Sequence, residues 1–451
     1  MQSLIAKYNV PGPRYTSYPT VPFWDPDSYS PERWTASVRR TFDESNAGDG
    51  VSLYVHLPYC ESPCTFCGCI KKFTRDHARE RPYVDAVLRE WSLYRTLLGS
   101  APRIRELHLG GGTPTFFSPE NLSRLVSGIL DGAEVCAEHE FGFEAHPNST
   151  SEAHLRALRE LGFRRVSLGV QDFDPEVQEI VNRVQPYDTV ARVTEQARGL
   201  GYRSVNFDLI YGLPRQRPET IQDTMGKVMA LRPDRIAFYG YAHVPWIKGI
   251  AQRRFSEEDI PRGDDKRRLY ETGRALLLDA GYGEIGMDHF ALPGDALYQA
   301  ARARSVHRNF MGYTPLHTRL SLGLGMSAIG DAWYAFSQNE KDVESYMQRV
   351  NDGELPLLRG HVLSPDDLRV RRHILSLMCR FETRFEPGER SRFTAALERL
   401  RELAEDGLVA MAPDAVTVTD EGRPFVRNVC MALDARLWER EPDSRLFSQV
   451  I

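Results

Sequence analysis

Between Val51 and Tyr239 short apolar runs alternate with longer stretches in which apolar residues recur every third or fourth position. The runs Val51–Leu57, Glu106–Leu109, Phe141–Glu144, Arg165–Val170, Ser204–Ile210 and Arg235–Tyr239 are β-branched, aromatic or aliphatic in character and predict strands. Tyr83–Leu97, Pro119–Leu130, Glu152–Leu161, Thr189–Leu200 and Glu219–Leu231 carry the helical period between them. Strand–helix units at a spacing of roughly thirty residues predict an α/β fold, a parallel sheet covered by helices. Curled, that sheet is three-quarters of an eight-unit barrel, a partial (β/α)6 barrel. Left open, it is a doubly wound sheet, and spacing alone does not choose.

The position of the polar clusters favours the barrel, because barrel enzymes place their chemistry at the C-terminal ends of the strands. A cysteine-rich loop follows Val51–Leu57, and Gly110-Gly111-Gly112-Thr113 follows Glu106–Leu109. Glu144 closes its own strand, Gln171-Asp172 follows the fourth, Asp208 ends the fifth, and Ala242-His243 follows the sixth. Residues 1–50, rich in Pro, Tyr and Trp, read as an irregular N-terminal arm with no helical period before Pro31. Residues 51–360 form the barrel, of which about 245 to 355 read as an extension rather than a further regular unit. This extension holds Gly286-Met287-Asp288-His289-Phe290 and His307-Arg308-Asn309-Phe310-Met311. Residues 361–451 turn to Leu/Ile/Met-periodic helices with a short strand pair near Ala415–Val418, the pattern of a winged-helix unit.

Composition narrows the class. A chain of 451 residues with net charge −5 has an ordinary globular make-up and no apolar run of membrane-spanning length. The balance is not that of a nucleic-acid binder, and nothing in the C-terminal helices reads as a basic recognition helix. No signal pattern opens the chain, and seven cysteines is an odd number, so reduced thiols and a cytoplasmic location are expected. Cys136, Cys379 and Cys430 stand alone in apolar surroundings and are expected in the core.

The other four cysteines lie within ten positions, Cys60, Cys64, Cys67 and Cys69, spaced C-x3-C-x2-C-x-C. Thiolates at that density share a centre. A structural zinc site usually takes two C-x2-C knuckles from separate loops. An iron–sulfur cube tolerates ligands from one loop, because its irons spread over a wider body. Cys60, Cys64 and Cys67 would ligate three irons and leave the fourth open, the arrangement that radical chemistry with S-adenosylmethionine (SAM) requires. The glycines of Gly110–Gly112 let backbone approach a ligand closely. Glu144, Gln171, Arg183 and Asp208 each read equally well, taken singly, as strand-end caps or ion pairs.

The cysteine segment resembles the signature of the radical-SAM superfamily, and its flanks resemble the oxygen-independent coproporphyrinogen III oxidases. Gly12-Pro13-Arg14-Tyr15-Thr16-Ser17-Tyr18-Pro19-Thr20, Arg427-Asn428-Val429-Cys430-Met431 and Phe447-Ser448-Gln449-Val450-Ile451 are similar to that family's ends. The resemblance implies a [4Fe-4S] cluster on Cys60, Cys64 and Cys67. One SAM would be held by Tyr54, Gly111, Glu144 and Ile329, and a second by Phe66, Gly112, Thr113, Gln171, Arg183, Asp208 and Ala242. It gives Cys69, Tyr54 and Glu144 roles in turnover, Cys69 without ligating iron, and lays the arm across the active-site mouth with Arg14 and Tyr15 as its contacts. The implied reaction removes hydrogen and CO2 from two propionates of coproporphyrinogen III, giving the vinyl groups of protoporphyrinogen IX. Arg14, Arg302, Arg304 and Arg308 are candidates for the propionates. An electron donor such as flavodoxin or ferredoxin is implied, with no nucleic-acid partner and a monomeric state. A haem-binding chaperone and a radical-SAM methyltransferase are the alternatives. Two positions depart from the family: Met311 stands where glutamine is usual, and His146 where an acidic residue is usual.

Overall fold

In the computed structural model the described residues are 2–245, 252, 255–439 and 446–450. Met1 and Ile451, the outermost residues of the terminal segments read above, lie outside them. Six strands, Val51–Leu57, Arg103–Gly111, Glu134–Ala145, Arg165–Gln171, Ser204–Tyr211 and Arg235–Gly240, stand side by side and parallel in chain order. Helices Glu80–Leu98, Pro119–Leu130, Glu152–Glu160, Tyr187–Gly199 and Pro218–Leu231 connect them. The first strand shows the rule: Val51, Leu53, Val55 and Leu57 are fully buried under the helices, while Ser52, Tyr54 and His56 project from the other face. Helix Pro119–Leu130 answers with Leu122, Leu125, Val126 and Ile129, spaced to form one stripe. It begins where Ser118 accepts a hydrogen bond from the Asn121 N–H and Pro119 takes the first turn.

The partial barrel is as expected, and its strands are longer than the apolar runs. Glu134–Ala145 starts seven residues before Phe141 (141 − 134), because its first half is mostly exposed and charged and has no apolar signal. The extension does more than intrude. Leu320–Leu324 is a further parallel strand beside Val51–Leu57, and Ile329–Asp331, Ala335–Asn339 and Leu357–Val362 continue that edge antiparallel. At the other edge His289–Ala291 and Gly283–Gly286 pair antiparallel to the sixth strand.

Helix Pro365–Arg380, strand Glu382–Arg384, helix Thr394–Glu405 and the pair Val409–Met411 and Ala415–Val418 follow with their own apolar core. The N-terminal arm joins that core through Ile5, Tyr15 and Tyr18. Tyr15 is therefore not a contact at the barrel mouth: its ring is buried and its hydroxyl donates to Asp434 at 3.0 Å. The arm also carries a regular helix, Pro31–Ser45, whose Trp34 packs in the barrel core. Cys136 and Cys430 are buried and Cys379 half-buried.

One buried side chain ties the extension to the barrel. Glu90 accepts hydrogen bonds from the Gly325 N–H (2.7 Å), the Tyr346 hydroxyl (2.7 Å) and Asn339 Nδ2 (2.7 Å). Burial pushes its carboxyl up to about 7 against the pull of those donors. Glu90→Ala leaves three buried donors without an acceptor and is expected to cost about 3–5 kcal/mol. A lower urea midpoint at unchanged slope checks it; an unchanged midpoint contradicts it.

Candidate active site

The inner faces of the second to sixth strands line a cavity of about 760 Å³, a size typical of small-molecule sites. Its floor and wall are polar. Glu144, Ser167, Asn206 and Arg235 lie in one register layer across four strands. Arg165 Nε donates to Glu140 Oε1 (2.9 Å), Arg235 Nη2 to Glu140 Oε2 (3.1 Å), and Arg235 Nε to Asp295 Oδ1 (2.6 Å). These paired charges offset one another's burial.

The cysteine loop closes the cavity at the strand ends. It is clamped by backbone bonds: Lys72 N–H to Pro58 O (2.8 Å), Thr65 N–H to Val181 O (3.0 Å), and Thr113 N–H to Tyr59 O (2.9 Å). His56 Nε2–H donates to Ile70 O at 2.9 Å, which leaves Nδ1 to accept from the Tyr54 hydroxyl at 3.2 Å. Cys60, Cys64, Cys67 and Cys69 all border the cavity. Cys60 Sγ is 3.3 Å from Thr113 Oγ1, and Cys64 Sγ is 3.5 Å from Arg183 Nη1. Burial pushes the Cys60 thiol up to about 11. A hydrogen bond with Cys69 lowers Cys67, the Lys71 ammonium acts in the same sense, and that bond raises Cys69.

Among the described residues no three His, Cys, Asp or Glu side chains converge on a single ion. A cluster spreads its ligands over several irons, and three soft sulfur donors on one clamped loop fit it. The neighbouring wall fits a ligand as well. Arg183 borders the cavity with a buried Nε that has no partner. At Gly112 a Cβ would fall 2.6 Å from the Pro58 carbonyl, so only glycine permits this approach.

Most of the residues expected from the sequence meet here. Phe66, Gly111, Gly112, Thr113, Glu144, Gln171, Arg183 and Asp208 line the cavity with the cysteines. Gln171 does so from a left-handed backbone, φ 68°, a strained conformation for a residue with a side chain. Burial raises Glu144, but His108 and the Gly111 N–H (3.1 Å) outweigh it and hold the carboxyl below its usual range. Burial lifts Asp208 to about 6, although Ser167 (2.7 Å) and Asn206 (2.9 Å) donate to it.

Tyr54, Ala242 and Ile329 are set back from the wall. Tyr54 stacks on His108. Ala242 is joined to Phe66 through Gln252, whose Nε2 donates to both carbonyls (3.0 and 2.8 Å). Ile329 packs toward Trp24 and Phe336. Its backbone crowds Gly323, the register partner of Tyr54. His146 lines the wall as a neutral imidazole, pushed down to about 3 by burial and then by Arg183. Met311 lines the far side, its N–H donating to Asn309 Oδ1 at 2.9 Å. Of the arginines considered for propionates, Arg302 and Arg304 lie exposed outside the cavity, and Arg304 pairs with Glu382. Arg14 pairs with Asp288. Residues that sequence reasoning passed over are Glu106, His108, Glu140, Arg165, Arg235, Tyr239 and His289, all on the cavity wall. For Glu106, His108, Arg165, Arg235 and Tyr239 the signal was polar residues alternating with apolar ones inside the predicted strands, whereas Glu140 and His289 lie outside those strands.

The radical SAM superfamily model matches residues 54–228. The oxygen-independent coproporphyrinogen III oxidase of Pseudomonas aeruginosa is 40% identical over 445 residues, covering 96% of this chain and 95% of that protein. The oxidase of the same description from Escherichia coli is 39% identical over 456 residues, covering 100% and 98%. The solved structure of coproporphyrinogen III oxidase from Escherichia coli, a radical SAM enzyme, superimposes with a TM-score of 0.88 at 38% identity. That match covers 94% of this chain and 97% of the other.

Proposed function

The chain belongs to the oxygen-independent coproporphyrinogen III oxidase family of the radical SAM superfamily, and from that membership we propose that it converts two propionates of coproporphyrinogen III to vinyl groups. Each round takes one hydrogen atom from a propionate, releases CO2 and passes the remaining electron to an external one-electron acceptor, and two rounds give protoporphyrinogen IX for haem biosynthesis. The observation that carries the reading is a cavity bounded by the cysteine loop and by the polar inner faces of the second to sixth strands. When bound, a [4Fe-4S] cluster and SAM supply the one-electron reduction and the hydrogen-abstracting chemistry.

The chain's own residues bind, orient and exclude water. Cys60, Cys64 and Cys67 hold the cluster, and the loop clamp fixes their backbone. Gly111, Glu144, Tyr54 and the backbone near Ile329 form one side of the SAM site. Phe66, Gly112, Thr113, Gln171, Arg183, Asp208 and Ala242 form the other, where a second SAM is accommodated. Asp208, ionised above about pH 6, accepts hydroxyl donors of a ribose, and Arg183 pairs with a carboxylate. Cys69, beside Cys67 and outside the ligand set, acts in turnover. Tyr54 orients His56, which holds the carbonyl of Ile70 next to Cys69. No described helix is long and apolar enough to cross a membrane. A cytoplasmic monomer reduced by a flavodoxin or ferredoxin completes the proposal.

Anaerobic incubation with coproporphyrinogen III, SAM and a reductant tests it. Loss of two CO2 by mass is expected; an unchanged tetrapyrrole would indicate a haem carrier, and a gained methyl group a methyltransferase. Met311 matches glutamine in length and flexibility, so Met311→Gln is expected to change turnover by no more than about threefold. A wild type that cleaves SAM without forming vinyl groups, while Met311→Gln forms them, would show a pocket retuned for another substrate.

A further inference from the structure

The cavity wall farthest along the sheet is built by Tyr239, His289, Asn309 and Met311, none of which the roles above use. His289 is locked edge-on between two rings, Tyr239 at 5.7 Å and Tyr313 at 5.2 Å. Its Nδ1 is buried and has no partner. A buried N–H without an acceptor costs more than a buried lone pair, so the proton belongs on Nε2. Nε2 is not among the buried unpartnered atoms, and it faces Gly312, where a Cβ would lie 3.4 Å away. Tyr239 lines the same wall, and its hydroxyl meets no hydrogen-bond partner among the described residues. Asn309 spends its Oδ1 on the Met311 N–H, so its Nδ2 is left to donate. The wall therefore presents three neutral donors.

The charge behind it is positive. Arg14 pairs with Asp288 and lies 5.5 Å over the Tyr239 ring. Arg308 is 4% exposed, lies 4.6 Å over the Tyr313 ring, donates to Arg14 O at 3.2 Å, and has a buried Nε without a partner. Among the described residues no carboxylate pairs with Arg308, so two guanidiniums face one carboxylate. Burial, with Arg308 next, pushes His289 down to about 3, which keeps it neutral and its Nε2–H a donor. Neutral donors in a positive field, with the guanidiniums withheld behind aromatic rings, suit a carboxylate that must be held without being buried in a full ion pair.

We propose that His289, Tyr239 and Asn309 form a carboxylate-binding subsite that receives one propionate arm of the tetrapyrrole, with Arg14 and Arg308 supplying the field. The identity of the arm rests on the substrate proposed above; the preference for a carboxylate rests on this wall alone.

The test is equilibrium binding to the reconstituted, SAM-loaded enzyme without oxygen. The probes are coproporphyrin III and its tetra-amide, which keeps the ring and neutralises every carboxylate. Wild type is expected to prefer the acid. Tyr239→Phe, which removes one hydroxyl and keeps the ring, is expected to weaken acid binding about fivefold, and His289→Phe about tenfold or more. His289→Gln, which keeps a donor, stays within about threefold of wild type. The tetra-amide should bind all four proteins alike, with iron content and SAM affinity unchanged. An acid-to-amide preference equal in wild type, Tyr239→Phe and His289→Phe overturns the subsite, as does a wild type with no preference. A His289-dependent preference without vinyl product overturns the proposed reaction and leaves the subsite standing.

Discussion

Cys60→Ala, Cys64→Ala and Cys67→Ala each yield a folded protein that holds no cluster and cleaves SAM at background rate, whereas Cys69→Ala keeps its iron, about four atoms per chain. The fold of the loop does not depend on metal. Its backbone is clamped to Pro58, Val181 and Tyr59 by hydrogen bonds that no cysteine side chain makes. Asn182 Nδ2 adds another, to Pro63 O at 2.7 Å. Far-UV spectra of the four variants should therefore match wild type. Cys69 differs from the other three in being exposed, and its thiol is a hydrogen-bond partner of Cys67. Its removal takes away a partner of a ligand and not a ligand, so turnover falls while iron stays. Iron analysis and the visible absorption of anaerobically purified variants check this. Loss of iron in Cys69→Ala, with retention in any one of the other three, reverses the ligand assignment.

The barrel was legible because each of its strands buries an outer row along the stretch that carries the apolar signal. Leu107, Leu109, Phe141, Phe143, Val166, Leu168, Val205, Phe207, Ile236 and Phe238 are almost fully buried and announce themselves as apolar. The inner row was less legible. Glu106, Glu140, Arg165 and Arg235 alternate with that row as polar residues alternate in a strand that faces water, and only closure of the sheet turns their face into a cavity. Strand-end residues such as Glu144 and Asp208 were found because position along the strand is visible in one sequence. Leu320–Leu324 was not found as a strand of the barrel, since its partner lies more than 250 residues earlier and no local signal carries such a pairing. Gly323 in this strand and Gly325 just after it had a reason that the sequence hides: a Cβ at Gly323 would sit 2.5 Å from Ile329 O, and one at Gly325 2.5 Å from His56 O. The two terminal segments that resembled one family do meet. Pro11 bridges to Gln449, and Arg427 donates to the carbonyls of Pro13 (2.8 Å) and Val450 (3.2 Å). Tyr15 was misplaced because a tyrosine in a polar-looking arm gives no sign that its ring is buried in a distant core.

Gly112→Ala is expected to lower SAM cleavage at least a hundredfold while the barrel stays folded. Gly112 donates its N–H to Leu57 O at 2.8 Å, and Thr113 donates to Tyr59 O at 2.9 Å, so the glycine segment is zipped to the base of the cysteine loop. A Cβ at Gly112 would lie 2.6 Å from both the carbonyl carbon and oxygen of Pro58 and 2.9 Å from Tyr59 O. These are backbone atoms, and no side chain can swing aside to make room. The segment must move away from the loop by on the order of an ångström, and a displacement of that size in a positioned site costs about a hundredfold in rate. Cys60 feels it first, because its sulfur is 3.3 Å from Thr113 Oγ1. The outer row of the second strand, Leu107 and Leu109, is untouched, so global stability should fall by much less than activity. Gly111 offers the comparison. A Cβ there meets the His56 ring at 2.6 Å, the far end of a side chain, but φ is 111°, so alanine is strained by the backbone itself. Measuring SAM affinity by calorimetry, deoxyadenosine release and the urea midpoint separates the effects. Wild-type deoxyadenosine release from Gly112→Ala would mean that the contact between the two segments relaxes without cost and does not position the site.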